Sequence, residues 1–287
     1  MAMDKPGPKP RPFECREDLF WYLVGLVATD GCLLESRKTV VVTAKSEEFL
    51  LKLRDALGLA VKIHKKKGGF NASISHDLVI KRVDLYRQLT ETGLTPRKSA
   101  TIGRLSVPDK GFLDFLRGVI DGDGCIRRWN HPTNGKEQWE IKIVGISRPF
   151  LCWLSETIER IWGVTGSFHI DLPRNSNHRT KYTLKYGKLA ARSILAKCYY
   201  RDAFALDRKA KLAAECTNTW VGWSKSKTIE NPETWTGWKY RHGYGGEEAS
   251  RVLDGPIAGV LELARQRGLK SLRPKGHAGS TPAPGTN

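Results

Sequence analysis

The chain has 287 residues, 40% of them hydrophobic, which is too apolar for a wholly disordered polypeptide and long enough for about two domains. Lys and Arg number 48 against 30 Asp and Glu, a formal net charge of +18. A surplus of that size repels itself in a folded chain and points to a polyanionic partner, nucleic acid first. The longest apolar run, Leu19 to Ala28, is about half of what a bilayer span needs, so no membrane partner is expected.

In chain order, residues 17–29 read as a helix, and 39–44 (TVVVTA) as a β-branched strand. Ser46 followed by two glutamates and apolar residues at spacings of three and four predicts a capped amphipathic helix over 46–57. Residues 61–65 and 70–76 predict a hairpin, and 78–91 a further helix stopped near Gly93 and Pro96. The order is α-β-β-α-β-β-α.

That order recurs. Leu23-Val-Gly-Leu-Val-Ala-Thr-Asp-Gly31 reads like Leu116-Arg-Gly-Val-Ile-Asp-Gly-Asp-Gly124, Ser46–Leu53 like Ser147–Leu154, and Arg97-Lys98-Ser99 like Arg208-Lys209-Ala210. The growing offset between matched segments places insertions in the second copy near Arg127–Gln138 and Asp171–Lys181. The expected fold is therefore α+β: two pseudosymmetric αββαββα repeats, each an antiparallel sheet with helices on one face, plus a C-terminal extension. The expected division is an N-terminal arm (1–16), a first repeat (17–105), a second repeat (106–217), a Trp-rich extension (218–273) and a Gly/Pro/Ser/Thr-rich tail (274–287) expected to be disordered.

Gly25 and Thr29 are four apart on one helix, as are Gly118 and Gly122 on the other, and small residues at that spacing let two backbones approach closely. Asp30 and Asp123 then fall at the C-terminal ends of the two helices, where the helix dipole is already negative. A divalent cation would resolve that conflict, since hard cations take carboxylate oxygens. The six cysteines form no CxxC pair and no metal-ligand spacing, so zinc and a disulfide framework are not expected. Without an apolar leader in the first residues, an intracellular location is expected.

The two nonamers resemble the paired motifs of the LAGLIDADG homing endonucleases, monomeric two-motif type, over roughly residues 17–212. The resemblance implies motif helices at the interface of two halves, and Asp30 and Asp123 as ligands of Mg²⁺. Mn²⁺ would substitute, and Ca²⁺ would support binding without cleavage. It implies curved sheets lying in the major groove of a long, partly asymmetric double-stranded DNA target. It implies a single monomeric chain that cuts both strands across the minor groove, as in intron homing. Lys98 and Lys209 correspond to the family's catalytic basic residues.

The insertions fall on hairpin loops where the family contacts DNA. Arg127, Arg128, Lys136, Arg174, Asn175, Asn177 and Arg179 have the chemistry of base readers, and Lys65, Lys66 and Lys67 that of phosphate contacts. The sequence departs from the family at Val24 and Arg117, at Ala28 and Thr29, and at Ala44 and Gly145, where a polar residue is common. Two other functions fit the same scaffold: an RNA maturase partnering a group I intron, and a non-catalytic DNA-binding regulator.

Overall fold

A computed structural model describes residues 12–67, 74–173 and 179–218. Arg174, Asn175, Asn177, the side chain of Lys67, most of the arm, the Trp-rich extension beyond 218 and the tail lie outside the described residues. None of the described helices is long and apolar enough to cross a membrane.

The first half runs α1 (Glu17–Asp30), β1 (Gly31–Leu34), β2 (Thr39–Ala44), α2 (Glu47–Ala56), β3 (Ile63–Lys67), β4 (Ile74–Ile80) and α3 (Val83–Glu91). The second runs α4 (Asp109–Asp123), β5 (Gly124–Asn130), β6 (Glu137–Gly145), α5 (Arg148–Trp162), β7 (Ser167–Asp171), β8 (Lys181–Tyr186) and α6 (Lys188–Cys198), then α7 (Asp207–Asn218). Each half is a four-stranded antiparallel sheet, in order β1-β2-β4-β3 and β5-β6-β8-β7. The α+β class and the doubled element order are those the sequence predicts.

The strand pattern explains the layering. Val40, Val42, Leu78 and Ile80 are buried beneath the helices of the first half, and Ile126, Ile141, Ile143, Leu184 and Tyr186 beneath those of the second. Their alternating neighbours point to the opposite, open face of each sheet. Glu17 and Asp18 favour the start of α1, and Ser46 accepts the Phe49 N–H at 3.2 Å to cap α2. The matched Ser147 precedes α5 without capping it; its hydroxyl donates to the Ile102 carbonyl of the first half instead.

Two expectations need correction. The helix expected from 78 begins at Val83, and the hairpin strands lie later, because Leu78, Val79 and Ile80 continue the ladder opposite Val42, Val41 and Val40. Burial of Leu78 and Ile80 favours the strand there over helix. The second half also carries α7, which the repeat did not foresee: Arg208-Lys209-Ala210 matches a short 3-10 turn in the first half, Lys98–Ala100, but lies in a full helix.

The halves interlock. Phe204, following α6, places its ring 5.2 Å from Tyr22 of α1 and 6.0 Å from Phe49 of α2. Lys52 of α2 meets Asp207 at 2.5 Å. In the other direction, Ile102 of the first half reaches Ser147 of the second.

Candidate active site

The site is built on the contact between α1 and α4. A Cβ added at Gly25 would strike the Phe115 carbonyl and approach the Val119 nitrogen to 2.9 Å. One added at Gly118 would strike the Tyr22 carbonyl and come within 3.1 Å of the Gly25 Cα. At Gly122 the obstacle is Thr29, whose hydroxyl donates to the Gly25 and Leu26 carbonyls at 3.2 and 3.0 Å. The structure thus brings Gly25, Thr29, Gly118 and Gly122 into one close helix-to-helix contact, backbone against backbone at Gly25 and Gly118 and through the Thr29 side chain at Gly122.

That contact carries Asp30 and Asp123 to the same end of the junction. A Cβ on Gly122 would lie 3.5 Å from Asp30 Oδ2, and the Asp30 charge is felt at Asp123. Both residues are exposed at the surface, but the packed helix ends behind them still desolvate their carboxyls. Desolvation pushes Asp123 up to about 6, with repulsion from Asp30 adding to it, while Lys209 and Lys98 oppose the rise. Asp30 is raised for the same first reason and eased by the same two lysines.

The lysines are not surface groups. Lys98 is 4% and Lys209 2% exposed. Lys209 donates to the carbonyls of Ile120, Asp121 and Gly122 at 2.5, 2.6 and 3.2 Å, and Lys98 to the Gly31 carbonyl at 2.5 Å. Each ammonium therefore sits against the last turn of a motif helix or the residue after it, where the dipole favours a cation. Burial lowers the pKa of both. The electrostatic conflict at the helix ends is answered in part by these cations, built into the chain itself.

Two carboxylates and no third acidic, His or Cys ligand gather here: among the described residues no group of three or more such side chains could hold a metal. That donor set suits a hard cation that keeps water and phosphate oxygens, as Mg²⁺ does. Beside Asp123 lies a cleft of about 230 Å³ lined by Thr29, Ser99, Gly145 and Ser147 among others. Gly145 offers no side-chain donor to it, and a Cβ there would meet nothing nearer than Leu151 at 3.6 Å.

Behind the site lies a buried polar network whose wiring the sequence does not show. Asp121 accepts from Tyr22 at 2.9 Å, from Tyr199 at 2.6 Å and from the Leu206 N–H at 2.7 Å. Arg117, fully buried, pairs with Asp114 at 2.7 Å and donates to the Cys198 and Phe204 carbonyls at 2.8 Å each. The departure at Arg117 is thus a structural anchor tying α4 to the segment after α6. The excess of a charged residue over a family alanine is the one sequence signal that marks it.

On the open face of the second sheet, Arg127 lies over the Trp129 ring at 5.0 Å. Arg128, one residue on, faces the helices, where it pairs with Glu137 at 2.8 Å and Glu215 at 3.5 Å and covers Trp139. Strand alternation thus sends these two arginines, both expected to contact DNA, to opposite faces of the sheet. Lys142 and Lys185, directly opposite in register, join Arg127 on the open face, and sequence reasoning missed both. Lys65, Lys66, Lys136 and Arg179 are exposed.

Residues 17–93 match the family described as LAGLIDADG-like domain. No curated protein matches the chain in sequence. Among solved structures, full-length DUF199/WhiA from Thermatoga maritima is 14% identical, over 90% of this chain and 69% of that one, with a TM-score of 0.45. The homing endonuclease I-WcaI bound to its DNA recognition sequence is 12% identical, over 70% and 88%, with a TM-score of 0.48. I-DmoI in complex with DNA and Mn is 19% identical, over 59% and 89%, with a TM-score of 0.38.

Proposed function

We propose that this chain, whose residues 17–93 match the LAGLIDADG-like domain and whose second half repeats the same element order, is a site-specific endonuclease of the homing type, cutting both strands of duplex DNA across the minor groove. The observation that carries the reading is the glycine-mediated contact of α1 and α4, which delivers Asp30 and Asp123 to one end of the junction with Lys98 and Lys209 behind them.

The reaction is hydrolysis: a water oxygen bonds to phosphorus and the bond from phosphorus to the leaving oxygen breaks. Asp30 and Asp123 would hold Mg²⁺, which when bound supplies Lewis acidity and lowers the pKa of water. The two carboxylates would also orient water at the phosphate. Lys98 and Lys209 fix the helix ends and hold positive charge beneath the site, lowering the cost of charge developing on the phosphate. Arg127, Lys142 and Lys185 lie on the open face that would follow the groove and meet its phosphates and base edges. Both motifs lie in one chain, so a monomer suffices and the two half-sites need not be identical.

The test is cleavage selection on a randomised duplex library with Mg²⁺ or Mn²⁺, comparing the wild-type chain with Asp30→Asn and Asp123→Asn. Each variant should lose double-strand cleavage while still binding the selected duplex in Ca²⁺. Normal cutting by both would overturn the reading.

A further inference from the structure

The four strands of the first sheet contain a single acidic residue, Asp77 in β4. A carboxylate on a surface that meets a polyanion is repelled, so its presence there needs a reason. Leu78 and Ile80 turn to the helices, which leaves Asp77 and Val79 on the open face. In register, Asp77 lies between Thr43 on β2 and His64 on β3, in the interior of the sheet.

The side chain is held. The Thr43 hydroxyl donates to Asp77 Oδ1 at 2.7 Å, and the Lys66 ammonium stands 3.9 Å from Oδ2. With 18% of its side chain exposed, Asp77 presents an oriented acceptor rather than a mobile charge. Lys66 offsets part of the repulsion from phosphates without occupying the carboxylate at hydrogen-bond distance.

We infer that Asp77 is a base-reading residue that selects cytosine at one position of the half-site covered by the first sheet. This rests on the nucleic-acid reading above and adds to it one amino acid and one base. In the major groove cytosine offers its N4 amino donor, guanine and thymine offer acceptors that repel a carboxylate, and adenine sets an acceptor beside its donor. Thr43 is a positioning residue: its bond to Oδ1 fixes the plane of the carboxylate.

The experiment selects duplexes from a randomised library by binding to the full chain in Ca²⁺ and sequences the bound pool. Wild type, Asp77→Asn, Asp77→Ala and Thr43→Val are compared, with the thermal unfolding of each measured alongside. Wild type should favour cytosine at one position by roughly 5- to 150-fold over guanine or thymine. Asp77→Asn should move that preference to adenine, because an amide matches the donor and acceptor of adenine. Asp77→Ala should flatten it, and Thr43→Val should weaken it with the carboxylate still present. A purely structural Thr–Asp pair would lower the melting temperature and leave the base profile alone. An Asp77→Asn pool identical to wild type overturns the assignment while the endonuclease reading stands. Failure of wild type to enrich any duplex overturns both.

Discussion

The Tyr22 hydroxyl donates to Asp121 across the junction of the two motif helices, at 2.9 Å and with both groups buried. Two further donors, Tyr199 and the Leu206 N–H, converge on the same carboxylate. Removing one donor and removing the acceptor should therefore differ. Tyr22→Phe should cost about 1 kcal/mol, because two donors remain. Asp121→Ala should cost about 3–5 kcal/mol, because it strands three donors, one of them fully buried, and unbalances Lys209. Urea unfolding measures both, and equal costs would mean the network does not form in solution.

The α1–α4 contact leaves no room for a methyl group. Gly25→Ala and Gly118→Ala should each destabilise by about 2 kcal/mol or more and move Asp30 away from Asp123. Double-strand cleavage should fall further than DNA binding does. Gly145→Ala is the matched control: its nearest neighbour stands 3.6 Å from the new atom, so its unfolding midpoint should stay near that of wild type. A Gly118→Ala chain as stable as wild type would contradict the close approach.

The raised pKa of Asp123 fixes the sign of a pH effect. Its folded value, about 6, lies above the ordinary 3.8, so the metal-free folded chain holds this proton more tightly than the unfolded one. Its contribution to stability is thus greatest below about pH 4, declines as pH rises to about 6, and is level beyond. Because the residue is exposed, solvent screening keeps the effect small. Asp123→Asn should remove this part of the slope in metal-free thermal melts from pH 4 to 8 and melt higher than wild type at pH 7. The same slope in the variant would show that the carboxyl is not desolvated.

The two neighbouring arginines of β5 should separate in a salt titration. With about ten phosphate contacts, log K against log salt should have a slope near −9. Arg127→Ala should reduce that slope by about 1. Arg128→Ala should leave it unchanged, because the guanidinium is held by Glu137 and Glu215 on the helix side. The opposite result would place Arg128 on the nucleic acid.

Much of this architecture is legible in the sequence because its signals are local. The spacing of Gly25 and Thr29, and of Gly118 and Gly122, marks the face along which two helices can touch, and Ser46 with two following glutamates marks a helix start. What is not legible depends on partners far along the chain. The resemblance marks Lys98 and Lys209, but not their burial or the carbonyls they bind, 67 and 87–89 residues away. Arg127 and Arg128 look equivalent until the strand phase is known. Asp77 gains meaning only when β2 sets Thr43 beside it.

The segments that follow α3 and α6 each finish the packing of the other half, through Ile102 against Ser147, and through Phe204 and Asp207 against Phe49 and Lys52. Neither repeat is self-sufficient. A chain divided between α3 and α4 would leave each half with a clasp and no socket, so the two halves fold as partners rather than as separate units.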